Sequence, residues 1–303
     1  MTGTLQDDRF RLLKVLGRGG MGTVYRAYDI ARGRVVALKV ASHSSFAAPG
    51  AALAAEFDTW SRLRHPNIVR AYELAVATRG PIPDGTPYLI LEYVPGRPQL
   101  RTRRAGRMRP AAIGILAAQI LSALAHVHEA GFVHRDLKPE NMLASALPGR
   151  APRYKLTDFG LATRIGTANP LGTFSGSLRY VAPEALLGLP LDGRVDLYGL
   201  GLALFRLATG ETPVPQGGAP EILRWHLTGP APDPTRVRPA LSACLVRCLR
   251  QLTRRDRDER PRSAACALRL LGISPEANRS RRSAWPDPRC SVASDRPGAL
   301  EFA

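Results

Sequence analysis

At 303 residues and 45% hydrophobic content, the chain reads as a soluble globular protein with enough apolar material for one large core or two smaller ones. Its formal net charge of +18 suits acidic or polyanionic partners, and with four lysines against 39 arginines, a lysine at a demanding position is informative. Secretion and membrane spanning are not expected: residues 1–13 carry Asp7, Asp8 and Arg9 and no apolar run, and the apolar stretches Ala111 to Ala125 and Val195 to Ala208 fall short of the ~20 residues a bilayer needs.

Phe10 to Leu16 is expected to form a strand, followed by Gly17-Arg18-Gly19-Gly20-Met21-Gly22-Thr23-Val24 and a second strand through Tyr25 to Tyr28. Glycines at such a turn let backbone N–H groups approach phosphate oxygens, because no Cβ intervenes. A dinucleotide-binding fold would need a helix next, but Thr23 to Tyr28 is β-branched and aromatic, which favours a strand. Val35 to Val40 is a third strand with one cation, Lys39, in an apolar run, and a charge there needs a partner. A structural cation in this chain would more often be arginine; a compact ammonium suits phosphates better than a planar fork. A helix over about Ala51 to Leu63 offers Glu56 and Asp58 as partners, the alternative for Glu56 being a solvated surface position. Strands over Arg70 to Val76 and Tyr88 to Tyr93 complete a small antiparallel sheet, with an expanded turn from Arg79 to Pro87 between them.

Arg97 to Arg109 holds six arginines and no acid. No aromatic residue interleaves them as single-strand stacking would require, so specific nucleic-acid binding is not expected; a solvated basic face that docks acidic partners is. Ile113, Leu116, Ile120, Leu124 and Val127 recur every three or four residues up to Gly131, which marks a long helix with a glycine C-cap. Behind it, His134-Arg135-Asp136-Leu137-Lys138-Pro139-Glu140-Asn141 concentrates charge between that helix and a short buried strand at Met142-Leu143. Such a loop can keep Asp136 as a proton acceptor, Lys138 as a point charge and Asn141 as an oxygen ligand in fixed relation. Ser145 to Arg153 is an excursion punctuated by Pro and Gly, and Tyr154 to Thr157 is a strand running into Asp158-Phe159-Gly160.

Leu161 to Tyr180 is rich in Thr, Ser and Gly and is closed by Ala182-Pro183-Glu184; a buried helix begins within Asp192 to Gly201. Further helices fit Glu221 to Leu227, Pro239 to Leu252 and Ser263 to Leu271. Cys244 and Cys248 share a helix face and are expected in the core, and the absence of zinc-like His spacing makes reduced cytosolic thiols the expectation for all four cysteines. From Gly272 onward Pro, Ser and Arg dominate without periodicity, the pattern of a disordered tail.

In chain order, the glycine-rich turn, Lys39, Leu91-Glu92-Tyr93-Val94, the octapeptide at 134–141, Asp158-Phe159-Gly160, Ala182-Pro183-Glu184 and Arg260 resemble the catalytic domain of bacterial-type (Hanks-type) Ser/Thr protein kinases over about residues 9 to 271. The resemblance implies an α+β, two-lobed protein-kinase-like fold: a small antiparallel-sheet N-lobe with one main helix over 1–94, a larger, mostly helical C-lobe over 95–272, and a tail over 273–303. It implies ATP held by Gly17, Arg18, Gly19, Gly20, Met21, Gly22, Val24, Ala37, Lys39 and Asn141, with the backbone of Glu92 and Val94 on adenine beside Leu91 as gatekeeper. Glu56 would pair with Lys39, and Mg²⁺, or Mn²⁺ in its place, would sit on Asn141 and Asp158. Asp136 would act as base and Lys138 on the γ-phosphate, while Asp196 would accept backbone N–H bonds from the catalytic loop and Arg260 would pair with Glu184.

The activity implied is γ-phosphoryl transfer from MgATP to protein Ser/Thr hydroxyls in the cytoplasm, regulated by phosphorylation at Thr167, Thr173 or Ser175 that neutralises Arg135. The chain departs from the family pattern in the acid-free Arg97 to Arg109 segment near the ribose, in Ser177, where many relatives have Thr, and in Leu178, where many have Pro. A catalytically weak scaffold and a small-molecule phosphotransferase are the alternatives. The presence of Lys39, Glu56, Asp136, Asn141 and Asp158 favours activity, and Arg135, Lys138 and Ala182-Pro183-Glu184 favour a protein substrate.

Overall fold

The computed structural model describes residues 5–19, 22–41, 49–98, 108–145, 152–168 and 176–272. Its first part is a six-stranded antiparallel sheet made of β1 (Leu5–Gln6), β2 (Phe10–Gly19), β3 (Gly22–Asp29), β4 (Arg34–Ala41), β5 (Ala71–Val76) and β6 (Pro87–Glu92), in the order β1-β2-β3-β4-β6-β5. The helix α1 (Pro49–Ser61) lies between β4 and β5. Side chains alternate across a strand, so β4 sends Val36, Leu38 and Val40 into a cluster with Phe10, Tyr88 and Ile90, and Ala37 and Lys39 to the opposite face. Both faces are covered, which explains why Val35 to Val40 reads as a nearly unbroken apolar run.

The outer cover of this sheet rests on Asp7, a residue the sequence marked only as a charge. Asp7 sits at φ 52° and accepts hydrogen bonds from Thr78 N (2.7 Å), Thr78 Oγ1 (3.0 Å), Arg79 N (2.9 Å) and Tyr88 Oη (2.7 Å). Gln6 Oε1 accepts from Ile82 N at 2.9 Å, so the expanded turn is tied down over Phe10 and Tyr88. Burial alone would raise the Asp7 carboxyl, but hydrogen bonds from Tyr88, Thr78, Arg79 and Gln6 hold it below the usual carboxylate range. A depressed folded-state value stabilises the fold above the ordinary carboxylate pKa and is lost as pH falls below it. Asp7→Ala is therefore expected to cost about 1–2 kcal/mol at neutral pH, and the difference in urea midpoint between variant and wild type should shrink in acid.

The second part begins with β7 (Gly96–Pro98) and α2 (Pro110–Glu129), continues through β8 (Phe132–Val133), β9 (Met142–Ser145), β10 (Arg153–Leu156) and β11 (Thr163–Arg164), and then becomes helical: α3 (Pro183–Leu186), α4 (Arg194–Thr209), α5 (Ala219–Thr228), α6 (Ala243–Leu252) and α7 (Ala264–Leu270). α2 starts with Pro110, whose fixed φ suits a first helical turn, and ends before Gly131 at φ 84°. At 20 residues it exceeds the apolar stretch expected from sequence and is, among the described residues, the one helix long and apolar enough to cross a membrane by length and composition. Ile113, Leu116, Ile120, Leu124 and Val127 on it are fully buried, and it packs against α4, α7 and β10 as the core of this lobe.

Two small ribbons, β10-β9-β7 and β11-β8, frame the loops between α2 and α4. α6 starts at Ala243 rather than Pro239, because the Ser242 hydroxyl accepts the Leu245 N–H and caps the helix there. Cys248 is buried, with its thiol pushed up to about 12 by that burial, but Cys244 is only half-buried, a correction to the core expectation. Gly20, Met21, Thr173, Ser175, residues 99–107 of the arginine-rich segment, 146–151 of the excursion and the tail at 273–303 lie outside the described residues.

Candidate active site

Strand register builds the upper wall. β4 sets Lys39 across from Val24 on β3 and Leu89 on β6, and Ala37 across from Leu91. Lys39 Nζ, almost fully buried, donates to Glu56 Oε1 (2.7 Å) and Oε2 (2.9 Å) on α1 and to Asp158 Oδ1 (2.7 Å). Burial alone would lower the Lys39 ammonium pKa; Asp158 and Glu56 reverse that and raise it. Burial would raise Asp158, yet Lys39 holds it below the usual carboxylate range. Burial pushes Glu56 upward against the pull of Lys39, and the bidentate contact favours the ionised pair.

The lower wall is the loop between β8 and β9. Asp196, in the first turn of α4, accepts from His134 N and Arg135 N, both at 2.8 Å, and contacts His128 Nε2 at 2.8 Å. Burial alone would raise the Asp196 carboxyl, but its hydrogen bond with His128 and the nearby His134 hold it low. These bonds fix Arg135 in a left-handed conformation, φ 69°, that costs a non-glycine residue energy. The turn aims Asp136 inward: it is buried, its Oδ2 accepts from Lys138 Nζ and from Asn141 Nδ2 (3.0 Å), and its buried Oδ1 has no hydrogen-bond partner among the described residues. Asn141 Nδ2 also donates to Asp136 O at 2.8 Å, which leaves the amide oxygen for another use.

Phe159 joins the two walls. Its ring lies 5.2 Å from Trp60 and 4.7 Å from His134, while Trp60 Nε1 donates to Val69 O at 2.6 Å. Trp60 is one helical turn beyond Glu56, so α1 touches Lys39 and Phe159 from one face. Sequence reasoning did not single out Trp60, although its four-residue spacing from Glu56 was available. It also passed over Lys155, which is held in an ion pair: its Nζ donates to Glu92 Oε2 at 2.8 Å and to Ile68 O at 3.4 Å, and burial keeps its pKa below the usual lysine value.

The remaining described candidates lie on β2, β3, β4 and β6 or directly after β6. Ala37, Leu91 and Val94 are buried, and the Glu92 N–H donates to Arg70 O at 2.8 Å. Gly17 pairs with Val24 and Gly19 with Gly22, Gly22 has φ 134°, and Arg18 is exposed. A Cβ added at Gly19 would meet nothing within 4 Å, so the protein's own packing does not require glycine there. Among the described residues no group of three His, Cys, Asp or Glu could hold a metal unaided. One carboxylate, Asp158, with the Asn141 amide fits a hard cation that takes its other oxygens from phosphates and water.

The segment after the cleft is pinned to the helices below it. Arg260 Nη1 and Nη2 donate to Glu184 Oε1 (2.6 Å) and Oε2 (2.9 Å), with both residues buried, and the guanidinium stacks on Tyr198 at 4.8 Å. His226 on α5 is fully buried, its Nδ1 2.9 Å from Tyr198 Oη and its Nε2 2.8 Å from Leu178 O. A carbonyl only accepts, so Nε2 carries the proton and Nδ1 takes the tyrosine hydroxyl's. Burial lowers the His226 pKa to about 4, and its bond to Leu178 only partly opposes this. Between pH 6.5 and 4 the unfolded chain binds the proton and the folded chain does not, so stability should fall with pH across that window by as much as about 3 kcal/mol. Melting curves should show a loss on acidification through this range that is absent in His226→Gln. Thr167 is exposed, and Arg135 is half-buried, which lowers its pKa.

The sequence model of the protein kinase domain family matches residues 10–268. The chain is 38% identical over 242 residues to the serine/threonine-protein kinase PknJ of Mycobacterium tuberculosis, covering 78% of this chain and 40% of that one. It is 34% identical over 309 residues to pkn3 of Myxococcus xanthus (94% and 55%) and 35% identical over 309 residues to PkaA of Streptomyces coelicolor (95% and 55%), both named serine/threonine-protein kinases. The chain belongs to the protein kinase domain family, and its catalytic domain is of the bacterial Ser/Thr type. It spans only about half the length of these curated relatives or less.

Proposed function

We propose that the chain transfers the γ-phosphoryl group of ATP to Ser or Thr hydroxyls of protein substrates, and that its lobes divide near Val94. The observation that carries this reading is Asp136, whose buried Oδ1 has no hydrogen-bond partner among the described residues while its Oδ2 is held by Lys138 and Asn141. Oδ1 accepts the hydroxyl proton as the oxygen attacks phosphorus and the bond to the ADP leaving group breaks. Lys138 neutralises charge on the phosphoryl oxygens. Lys39, oriented by Glu56, holds the remaining phosphates, the glycine-rich turn covers them, and the backbone of Glu92 and Val94 orients adenine. Asp158 and Asn141 would hold Mg²⁺, which would supply positive charge against the phosphate oxygens. Positioning and electrostatics supply most of the rate.

Free cysteines and the use of ATP support a cytoplasmic setting. The Arg97 to Arg109 segment is the face for acidic partners. Phosphorylation at Thr167, Thr173 or Ser175 would bring a dianion to the half-buried Arg135 and order the segment. The test is phosphate incorporation from labelled MgATP into the chain and a generic protein substrate, beside Asp158→Asn. Incorporation on Ser or Thr that vanishes in Asp158→Asn supports the reading; retained ATP binding without incorporation moves a scaffold role forward. Full activity after replacing Thr167, Thr173 and Ser175 together by Ala removes the regulatory part.

A further inference from the structure

α5 carries a fully buried imidazole, His226, that phosphoryl transfer as proposed above does not use. Its ring nitrogens are spent on two other elements: Nδ1 on the Tyr198 hydroxyl in α4, and Nε2 on the carbonyl of Leu178. Leu178 opens a 3-10 turn, Leu178–Tyr180, in the segment closed by Ala182-Pro183-Glu184. A neutral imidazole can carry its proton on either nitrogen. With Tyr198 Oη donating to Nδ1, the proton stays on Nε2, where it meets the carbonyl. The Trp225 ring stands edge-on to His226 at 5.2 Å and the Tyr198 ring at 5.7 Å, so aromatic walls hold the imidazole in place.

The same turn borders the catalytic loop. At Gly199 in α4 an added Cβ would meet Tyr180 O at 3.1 Å and Leu137 Cβ at 3.2 Å, so the turn and the residue after Asp136 converge on one glycine. Three residues earlier on α4, Asp196 holds the loop by the N–H groups of His134 and Arg135; one residue earlier, Tyr198 holds His226. Side chains of the turn are tied as well: Arg179 Nη1 donates to Pro215 O at 2.8 Å, and Tyr180 Oη accepts from Arg206 Nη1 at 2.9 Å. His226 grips the backbone itself. A peptide unit is planar, so fixing the Leu178 carbonyl fixes the plane that joins Leu178 to Arg179.

We propose that His226, oriented by Tyr198, is a positioning residue for the protein substrate: through the Leu178 carbonyl it sets the backbone of the turn against the catalytic loop, so that a polypeptide lying along the turn presents its Ser or Thr hydroxyl to Asp136. The proposal rests on the protein-kinase reading and deepens it. Neither His226 nor Tyr198 touches a reacting atom; both act through Leu178. An acceptor displaced by about 1 Å loses most of its reactivity, whereas the nucleotide, held from the sheet side of the cleft on the same reading, keeps its place.

Dephosphorylated casein is the acceptor for the test. His226→Leu fills the site without a donor, His226→Gln restores an N–H for Leu178, and Tyr198→Phe keeps the ring on which Arg260 stacks but removes the hydroxyl. His226→Leu and Tyr198→Phe are each expected to raise KM for casein about five-fold or more with KM for ATP unchanged, and His226→Gln to recover most of that loss. A histidine that only supports the fold would lower the amount of active protein, and so kcat, and leave both KM values alone. That pattern overturns the proposal, as does a His226→Gln variant no better than His226→Leu. If His226→Leu does not fold, Tyr198→Phe, which removes a single oxygen, decides. Hydrogen exchange at the Tyr180 amide, which donates to Ser177 O at 3.0 Å, needs no turnover. Faster exchange in Tyr198→Phe, with a wild-type chain that transfers no phosphate to casein, overturns the kinase reading and leaves the relay standing; unchanged exchange overturns the relay.

Discussion

Asp136→Asn is expected to lower phosphoryl transfer by about 10² to 10⁴ while leaving ATP affinity nearly unchanged. The exchange preserves size and the buried position between Lys138 and Asn141, so the loop retains its shape. On the proposed reading it removes the group that takes the hydroxyl proton, and it sets an amide beside the Lys138 ammonium in place of a carboxylate. On the proposed reading, ATP would be held by Lys39, the backbone of Glu92 and Val94 and the glycine-rich turn, none of which touches Asp136 through a hydrogen bond among the described residues. Single-turnover rates with saturating ATP, beside a nucleotide-binding isotherm, separate the two effects. Unchanged turnover would remove Asp136 from the base role, and lost nucleotide binding would point to a collapsed loop instead.

Arg260→Ala should cost about 3–5 kcal/mol of stability, because it leaves the Glu184 carboxylate buried without its cation. The guanidinium also donates to the carbonyls of Arg254 (2.7 Å), Arg194 (2.9 Å) and Arg255 (2.9 Å), so its removal orphans three more acceptors. For a domain of this size that corresponds to a fall in melting temperature of roughly 6–20 °C. The double replacement Glu184→Gln with Arg260→Met should recover much of the loss, since no unpaired charge remains. A single variant with an unaltered melting curve would show that water or another group compensates for the arginine.

How far the sequence reached depended on the kind of interaction involved. Local signals carried well: apolar periodicity placed α2 and Gly131 ended it, and a single cation in the apolar run of β4 singled out Lys39. Residue chemistry named Asp136, Lys138, Asn141 and Asp158, because a scarce lysine and concentrated charge stand out against an apolar background. The start of α6 was misjudged, since the Ser242 cap acts over one turn and the apolar pattern before it continues without a break.

Side chains at ordinary places in the sequence became visible only once the chain was folded. Asp7 read only as a charge until the turn at Thr78 and Arg79 wrapped around it, and Trp60 carried no signal until Phe159 met it from about a hundred residues away. Lys155 and Glu92, 63 residues apart, became an ion pair because β10 and the end of β6 converge. The sequence by itself determined the order of elements, the family resemblance and the identity of the groups able to do chemistry, since these follow from local pattern and side-chain type. Tertiary structure decided which carboxylate each cation meets and which oxygen of Asp136 lacks a hydrogen-bond partner among the described residues, because hydrogen bonding and burial depend on distances between segments remote in the chain.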